Sequence, residues 1–311
     1  MTIEWNKVNL LDAVAGMKLI DSNSVDCVII DPPYNIGKDF GNNKMKSDLN
    51  EYTSWAKEWI TEAERIIKPS GLIYIYGFSE ILAYVSAEVS LPYRWLSWHY
   101  TNKTVPSLHF WQRSHESILC IWKDKKERIF HRDEVREPYT EQYVKGYSDS
   151  KRKRPAGDSR FGKKMIKNEA GEEVVRESTD YVVNEKGALP KDIIKVGALA
   201  GGGKERFMYC PSLGRIMTRK HAKKLLEGGK DIEMISHPTQ KPIKLTNILL
   251  NSCTSTSDQR VVIPFSGTGS EALACQQKGL SWISFEINED YVDMANLLAK
   301  HGFPTNKTKS E

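Results

Sequence analysis

The stretch Val28-Ile29-Ile30-Asp31-Pro32-Pro33-Tyr34 is an apolar run that stops at an acid, two prolines and an aromatic ring. A strand buried on both faces of a parallel sheet reads as such a run. Prolines cannot continue its hydrogen-bond ladder, so the acid is delivered where the strand ends. Ligands of open α/β sheets bind at the carboxyl ends of the strands. Asp31, Pro32, Pro33 and Tyr34 are therefore the first candidates for a catalytic site. Asp-Pro-Pro also serves simply to end a strand and begin a loop.

The chemistry that suits this turn is that of an exocyclic amine. A planar heteroaromatic amine is a poor nucleophile because its lone pair is delocalised into the ring, so a catalyst must hold its N–H groups and favour a more pyramidal nitrogen. The Asp31 carboxylate can accept one N–H. The Pro32 carbonyl, on a backbone stiffened by two fixed φ angles, can accept the other. Tyr34 offers a stacking face for a base taken out of a helix.

A second motif lies near the other end. Arg260-Val261-Val262-Ile263-Pro264-Phe265-Ser266-Gly267-Thr268-Gly269-Ser270 reads as a strand and a Gly-x-Gly turn, and Glu271-Ala272-Leu273-Ala274 opens a helical pattern. Glycines there let the backbone approach a ligand closely. Trp282-Ile283-Ser284-Phe285 is a further strand ending at Glu286, 17 residues after Gly269. An acid at that offset in a β-α-β unit accepts from ribose hydroxyls.

The alternation of patterns predicts strands at 25–30, 71–76, 95–100, 117–122, 261–263 and 282–285. Helices are expected at 53–67, 80–89, 243–252, 270–278 and from Asp290. Strands 95–100 and 117–122 leave little room for a helix between them, which predicts an antiparallel pair at the sheet edge. The expected fold is α/β, a doubly wound and mainly parallel Rossmann-like sheet with helices on both faces. No internal repeat is visible.

Five cysteines, Cys27, Cys120, Cys210, Cys253 and Cys275, have no paired spacing. Reduced thiols in a cytoplasmic protein are expected, with neither a disulfide frame nor a structural metal. No apolar run approaches membrane-spanning length, and the start Met1-Thr2-Ile3-Glu4-Trp5-Asn6 lacks a leader pattern.

The 45 basic and 40 acidic residues give +5 overall, but residues 123–236 alone hold 27 basic and 19 acidic, a net of +8. A polyanion would meet that segment first, although charge runs are often only solvated faces. The basic residues Lys151, Arg152, Lys153, Arg154, Arg160, Lys163 and Lys164 are interleaved with Tyr139, Tyr143, Tyr147 and Phe161, a mixture suited to phosphate contact and base stacking. Gly201-Gly202-Gly203-Lys204 reads as a phosphate nest or a flexible turn. Residues 213–226 read as a basic amphipathic helix ending at Gly228 that could lie along DNA through Arg219 and Lys220. Asn35 to Asn43, with two glycines, reads as a loop that closes over a ligand.

Asp-Pro-Pro-Tyr, Pro-Phe-x-Gly-x-Gly and the intervening His237-Pro238-Thr239-Gln240-Lys241-Pro242 together resemble the DNA amino-methyltransferases that use S-adenosylmethionine. Catalytic motif first, variable region next and cofactor motif last is the order of the β-type subgroup, a circular permutation of the motifs. The resemblance covers about residues 7–122 and 236–300. It implies a catalytic half at 1–122, an inserted target-recognition region at 123–236, a cofactor-binding half at 237–304 and a tail at 305–311.

The resemblance also implies S-adenosyl-L-methionine as cofactor, held by Asp12, Asp31, Lys241, Phe265, Ser266, Gly267, Thr268, Gly269 and Glu286. Asp12 resembles an acid that faces the cofactor adenine, and a helix N-cap is the other reading. Lys241 resembles a residue beside the methionine end that pairs with its carboxylate, and a solvated lysine is the other reading. Ile263 departs from the family pattern, which has an acid there. Double-stranded DNA is the implied partner, with adenine N6 as acceptor because relatives acting on cytosine N4 usually begin the catalytic motif with serine. No metal is implied. Cytosine N4, RNA and protein remain alternative acceptors, and a non-catalytic DNA-binding module is the alternative outside catalysis. The resemblance leaves open a homodimer and a functional pairing with a restriction endonuclease.

Overall fold

All six residues of Val25–Ile30 are buried, and the strand they form sits inside a mainly parallel sheet. The computed structural model describes residues 2–34, 48–102, 107–148, 158–159, 162–163, 165–167, 171–175, 184–199, 205–228, 232–237 and 239–305. In chain order the elements are β1 (Lys7–Leu10), α1 (Ala13–Lys18), β2 (Val25–Ile30), α2 (Leu49–Ile66), β3 (Ile67–Gly77), α3 (Ser79–Val85), β4 (Tyr93–His99), β5 (His115–Ile121) and α4 (Glu141–Ser148). Then follow β6 (Asp158–Ser159), β7 (Gly162–Lys163), β8 (Met165–Lys167), β9 (Glu173–Val175), β10 (Ile193–Lys195), β11 (Phe207–Cys210), β12 (Arg215–Thr218) and α5 (Arg219–Glu227). The last are α6 (Ile243–Cys253), β13 (Arg260–Ile263), α7 (Ser270–Gln277), β14 (Ser281–Glu286) and α8 (Glu289–His301).

Among the described residues the main sheet has eight strands in the order β1-β14-β13-β2-β3-β5-β4-β10. β5 runs antiparallel to both β3 and β4, and β10 adds in parallel outside β4. The other neighbours are parallel. β13, from near the carboxyl end of the chain, pairs directly with β2, so Val261 lies beside Cys27. The two motifs expected at one sheet edge thus stand on adjacent strands.

Side chains that alternate along these strands divide the core into two layers. Cys27, Ile29, Tyr74, Tyr76, Val261 and Ile263 pack on one face with Leu245 and Leu249 of α6, Ala272 of α7 and Val292 of α8. Val28, Ile30, Ile73, Ile75 and Val262 pack on the other with Val14 of α1, Trp59 and Ile60 of α2 and Leu82 of α3. Helices therefore cover both faces.

α2 shows how the sequence makes one such layer. Asp48 caps its start by accepting from the Asn50 amide at 2.7 Å, and Tyr52, Ala56, Trp59, Ile60, Ala63 and Ile66 form one buried stripe. Each fully buried large apolar side chain contributes about 1.5–3 kcal/mol. The helix stops at Ile67, whose extended backbone enters β3 at once. β3 therefore begins earlier than the expected Gly71, with Ile67 paired to Val25 across a register shift.

The chain divides into two compact units, Met1–His131 with Lys191–Glu311, and Arg132–Pro190. Residues 191–236, read from the sequence as part of the insert, belong to the first unit. β10 joins the sheet, and Phe207 and Tyr209 of β11 pack with Tyr291, Met294 and Leu298 of α8. The expected helix across 213–226 is shorter than its pattern. Gly214 adopts φ +57°, the chain turns, and β12 pairs antiparallel with β11 before Thr218 caps α5. Met217 and Cys210 then share a small core with Ala222, so the apolar residues before Arg219 serve a hairpin.

The second unit carries α4 and two short antiparallel pairs, β6 with β7 and β8 with β9. Arg136 ties its ends together, donating to Asp133 and to the Gly187 carbonyl, both at 2.7 Å. Tyr139 and Tyr143 stack with ring centroids 4.7 Å apart. Among the described residues no helix is long and apolar enough to cross a membrane, and no group of three or more His, Cys, Asp or Glu could hold a metal ion.

Candidate active site

The carboxyl ends of β2 and β13 open into one cavity. Asp31, Pro32 and Pro33 line it from β2, Phe265 to Thr268 from the turn after β13, and Glu286 and Ile287 from the end of β14. Leu11 and Asp12 close one side, while His237, Thr239, Gln240 and Lys241 close another. This is the strand edge at which ligands of α/β sheets bind.

Asp31 is held from two directions. Lys241 Nζ donates to its two oxygens at 2.7 and 2.8 Å, and the Tyr34 hydroxyl donates to Oδ1 at 2.7 Å. Burial pushes the Asp31 carboxyl above the ordinary range, while Lys241 and Tyr34 pull it back. Burial also disfavours the Lys241 ammonium, but the charges of Asp31 and Glu116 outweigh it and hold its pKa above the usual lysine value. A carboxylate has about four acceptor sites, so these three hydrogen bonds leave room for another.

Lys241 is neither solvated nor free for a ligand carboxylate in this state. Its side chain is 3% exposed, its nitrogen lies 3.6 Å from Glu116, and it sits over the rings of Tyr34 and Tyr76 at 5.0 and 5.2 Å. Tyr34 differs from expectation in the same way. Its ring is 2% exposed and packs on Phe78 at 5.0 Å, so the face assigned to base stacking is already covered. Its hydroxyl instead positions Asp31, and burial raises its pKa well above the tyrosine value.

The glycine turn is built by backbone conformation. Gly267 and Gly269 adopt φ +50° and +80°, where a side chain is strained. A Cβ on Gly269 would lie 2.7 Å from Ala295 Cβ, so the close approach of α8 also requires glycine. Glu286 organises the turn. It accepts from the Gly267 amide at 3.0 Å and from the Ile287 and Asn288 amides at 2.9 and 3.1 Å. Burial raises its pKa against those three donors. Phe265 packs on Trp55 at 5.6 Å, and the buried Ser266 hydroxyl has no partner among the described residues.

Asp12 satisfies both sequence readings. It caps α1, accepting from the Ala15 amide at 3.0 Å, and it lines the cavity. Burial lowers His237 to about 3, helped by Lys241 and Arg206, so a neutral imidazole faces the glycine turn.

Two acids were not singled out in the sequence. Glu116 lies near the start of β5, and because β5 is antiparallel, its beginning reaches the edge where its parallel neighbours end. Tyr34 and Tyr100 both donate to Glu116, at 3.3 and 2.5 Å. An acid directly before the apolar run of an antiparallel strand was the available signal. Glu271, in the first turn of α7, is 4% exposed, and burial followed by the charge of Asp31 raises it to about 7.

The expected DNA contacts fall elsewhere. Arg219 and Lys220 open α5, and Lys163 lies in β7. Lys151, Arg152, Lys153, Arg154, Arg160 and Lys164 lie outside the described residues, as do the loop from Asn35 to Asn43, Gly201 to Lys204, Pro238 and the tail from Asn306.

Comparison with known proteins agrees with this geometry. Type II methyltransferase M.HpaI of Haemophilus parainfluenzae is 25% identical over 289 residues, covering 91% of this chain and 71% of that protein. DNA adenine methyltransferase YhdJ of Escherichia coli (strain K12) is 25% identical over 288 residues, covering 91% and 79%. PvuII DNA methyltransferase (cytosine-N4-specific) shares the fold, with a TM-score of 0.55, 15% identity and coverage of 99% of this chain and 89% of that one. The N6_N4_Mtase family model, described as DNA methylase, matches residues 25–297. With that match spanning both motif-bearing halves and the residues between them, this chain belongs to the DNA methylase family.

Proposed function

We propose that this protein transfers a methyl group from S-adenosylmethionine to the N6 amine of an adenine flipped out of duplex DNA, as the modification enzyme of a restriction-modification system. The observation that carries this reading is the shared cavity, in which Asp31-Pro32 and the Gly267–Gly269 turn face one another from adjacent strands. A neighbour of the same fold, the DNA modification methylase TTHA0409 of Thermus thermophilus, has been crystallised with S-adenosyl-L-methionine. Two of the curated relatives carry the names of type II methyltransferases, M.HpaI and M1.MboII.

The residues present fit the cofactor. Leu11, Phe265, Phe285 and Ile287 give apolar walls for a nucleoside, Asp12 and Glu286 give acceptors, and the Ser266 hydroxyl is left for a partner from the ligand. Glu286 Oε2 accepts one protein donor, which leaves it able to accept from a ribose hydroxyl. When bound, the cofactor supplies an electrophilic sulfonium methyl.

The chain's own part is positioning and electrostatics. Asp31 accepts one N–H of the target amine and the Pro32 carbonyl accepts the other, drawing electron density onto nitrogen. Tyr34 and Lys241 fix the carboxylate, so Asp31 does not reorganise as the methyl arrives. A strong base is unnecessary, because the amine becomes acidic only as the new bond forms. Arg219 and Lys220 on α5 and the basic residues of 151–164 are assigned to the phosphate backbone.

Asp31 supports adenine, since the cytosine-N4 members of the resemblance usually have serine there; the cytosine-N4 enzyme of the same fold keeps the second base in view. Incubation with methyl-labelled S-adenosylmethionine and unmethylated duplex DNA, RNA or a protein mixture tests the acceptor class. Label in duplex DNA alone is expected, and label confined to RNA or protein would overturn the reading.

A further inference from the structure

Glu271 is a buried acid that the mechanism above does not use. It stands in the first turn of α7, 4% exposed, and lines the same cavity as Asp31 and Lys241. Its Oε2 accepts from the Ser270 hydroxyl at 2.7 Å. Its Oε1 has no partner among the described residues. Buried carboxylate oxygens are ordinarily paired, so an open one facing a cavity marks the place of a missing donor.

The other acids around Lys241 are already engaged. Asp31 holds Lys241 and Tyr34, and Glu116 accepts from Tyr100 and Tyr34. Lys241 is an ammonium and cannot accept a hydrogen bond. β13 ends in the apolar Ile263, 1% exposed, and offers no acceptor side chain. The charges of Asp31, Glu116 and Glu271 all act on this single buried ammonium, and the excess of acids favours a ligand with a cationic end.

We propose that the Glu271 carboxylate receives the α-ammonium of the methionine end of S-adenosylmethionine and makes the site selective for ligands that carry it. This deepens the cofactor assignment and rests on it. Burial and the neighbouring Asp31 charge hold the free carboxyl at about 7, so an arriving ammonium ionises Glu271 and relieves an unpaired group in one event. The groups facing it are Asp31 from β2, Tyr76 from β3, Cys275 from its own helix and Lys241 from the segment before α6.

The test is a ligand-by-variant cycle read by calorimetry. The full-length wild type and Glu271→Gln are titrated at pH 8 with S-adenosylhomocysteine and with its analogue in which hydrogen replaces the α-amino group. Wild type is expected to prefer the amino compound by roughly tenfold or more, the scale of one charge-assisted hydrogen bond, and Glu271→Gln to lose most of that preference. A variant that keeps the full preference overturns the proposal. Wild type alone also decides it, since equal affinity for the two compounds overturns it whether or not the variant folds. Absence of S-adenosylhomocysteine binding altogether would remove the cofactor assignment itself, a different outcome from equal binding.

Discussion

Lys241 grips Asp31 with hydrogen bonds of 2.7 and 2.8 Å to the two carboxylate oxygens, joining residues 210 positions apart in the sequence. The pair fastens the end of β2 to the segment that leads into α6. It also fixes the carboxylate that is to meet the target amine, so stability and function share one interaction.

Breaking a buried ion pair by removing one partner leaves an uncompensated charge and costs about 3–5 kcal/mol. Asp31→Ala and Lys241→Met are each expected to lose stability on that scale in urea unfolding. The double variant is expected to lose much less than the sum, because neither charge remains. Additive losses would show that the pair is not coupled.

Asp31→Asn tests the catalytic role with less disturbance of shape. It is expected to slow single-turnover transfer by at least about 100-fold, the scale of losing one preorganised polar group aimed at the reacting centre. S-adenosylmethionine affinity should stay within a few-fold of wild type. Near-normal turnover would remove Asp31 from the mechanism.

Glu271 gives the stability of the free protein a pH dependence of known sign. Its carboxyl titrates near 4.5 when exposed and at about 7 in the fold, so the folded state binds more protons between those values. Stability falls as pH rises through that window, by about 3 kcal/mol in total, and levels off above the folded-state value. Glu271→Gln is expected to abolish this fall, leaving the variant more stable than wild type under mildly alkaline conditions. Parallel curves for the two proteins would contradict it.

Gly269→Ala tests the cofactor turn. The residue sits at φ +80°, and its new Cβ would lie 2.7 and 2.8 Å from Ala295 Cβ and Cα. Strain and clash with the α8 backbone act together, so a loss of about 2–4 kcal/mol is expected, with weaker S-adenosylmethionine binding. A melting temperature and affinity equal to wild type would show that the turn tolerates a side chain.

The strands were legible where burial was two-sided. Val25–Ile30 reads directly as an apolar run, and the pattern from Arg260 to Glu286 shows its strand, glycine turn, helix and terminal acid in order. The amphipathic stretch around Arg219 was harder, because Gly214 ends one element and Thr218 begins another inside a continuous run of helix-compatible residues. Lys241 could be named but not paired, since the Asp31 contact spans 210 positions. Glu116 was hidden because its place at the strand edge follows from the antiparallel course of β5. Tyr34 was assigned a stacking face, and burial against Phe78 and Lys241 gives it a hydroxyl role instead.

The most direct measurement is nucleoside mass spectrometry of unmethylated genomic DNA after incubation with the purified protein and labelled S-adenosylmethionine. The account predicts labelled N6-methyladenine that disappears with Asp31→Asn. Labelled N4-methylcytosine would contradict the adenine assignment, and cofactor binding without any labelled DNA nucleoside would contradict the central claim that this site methylates DNA.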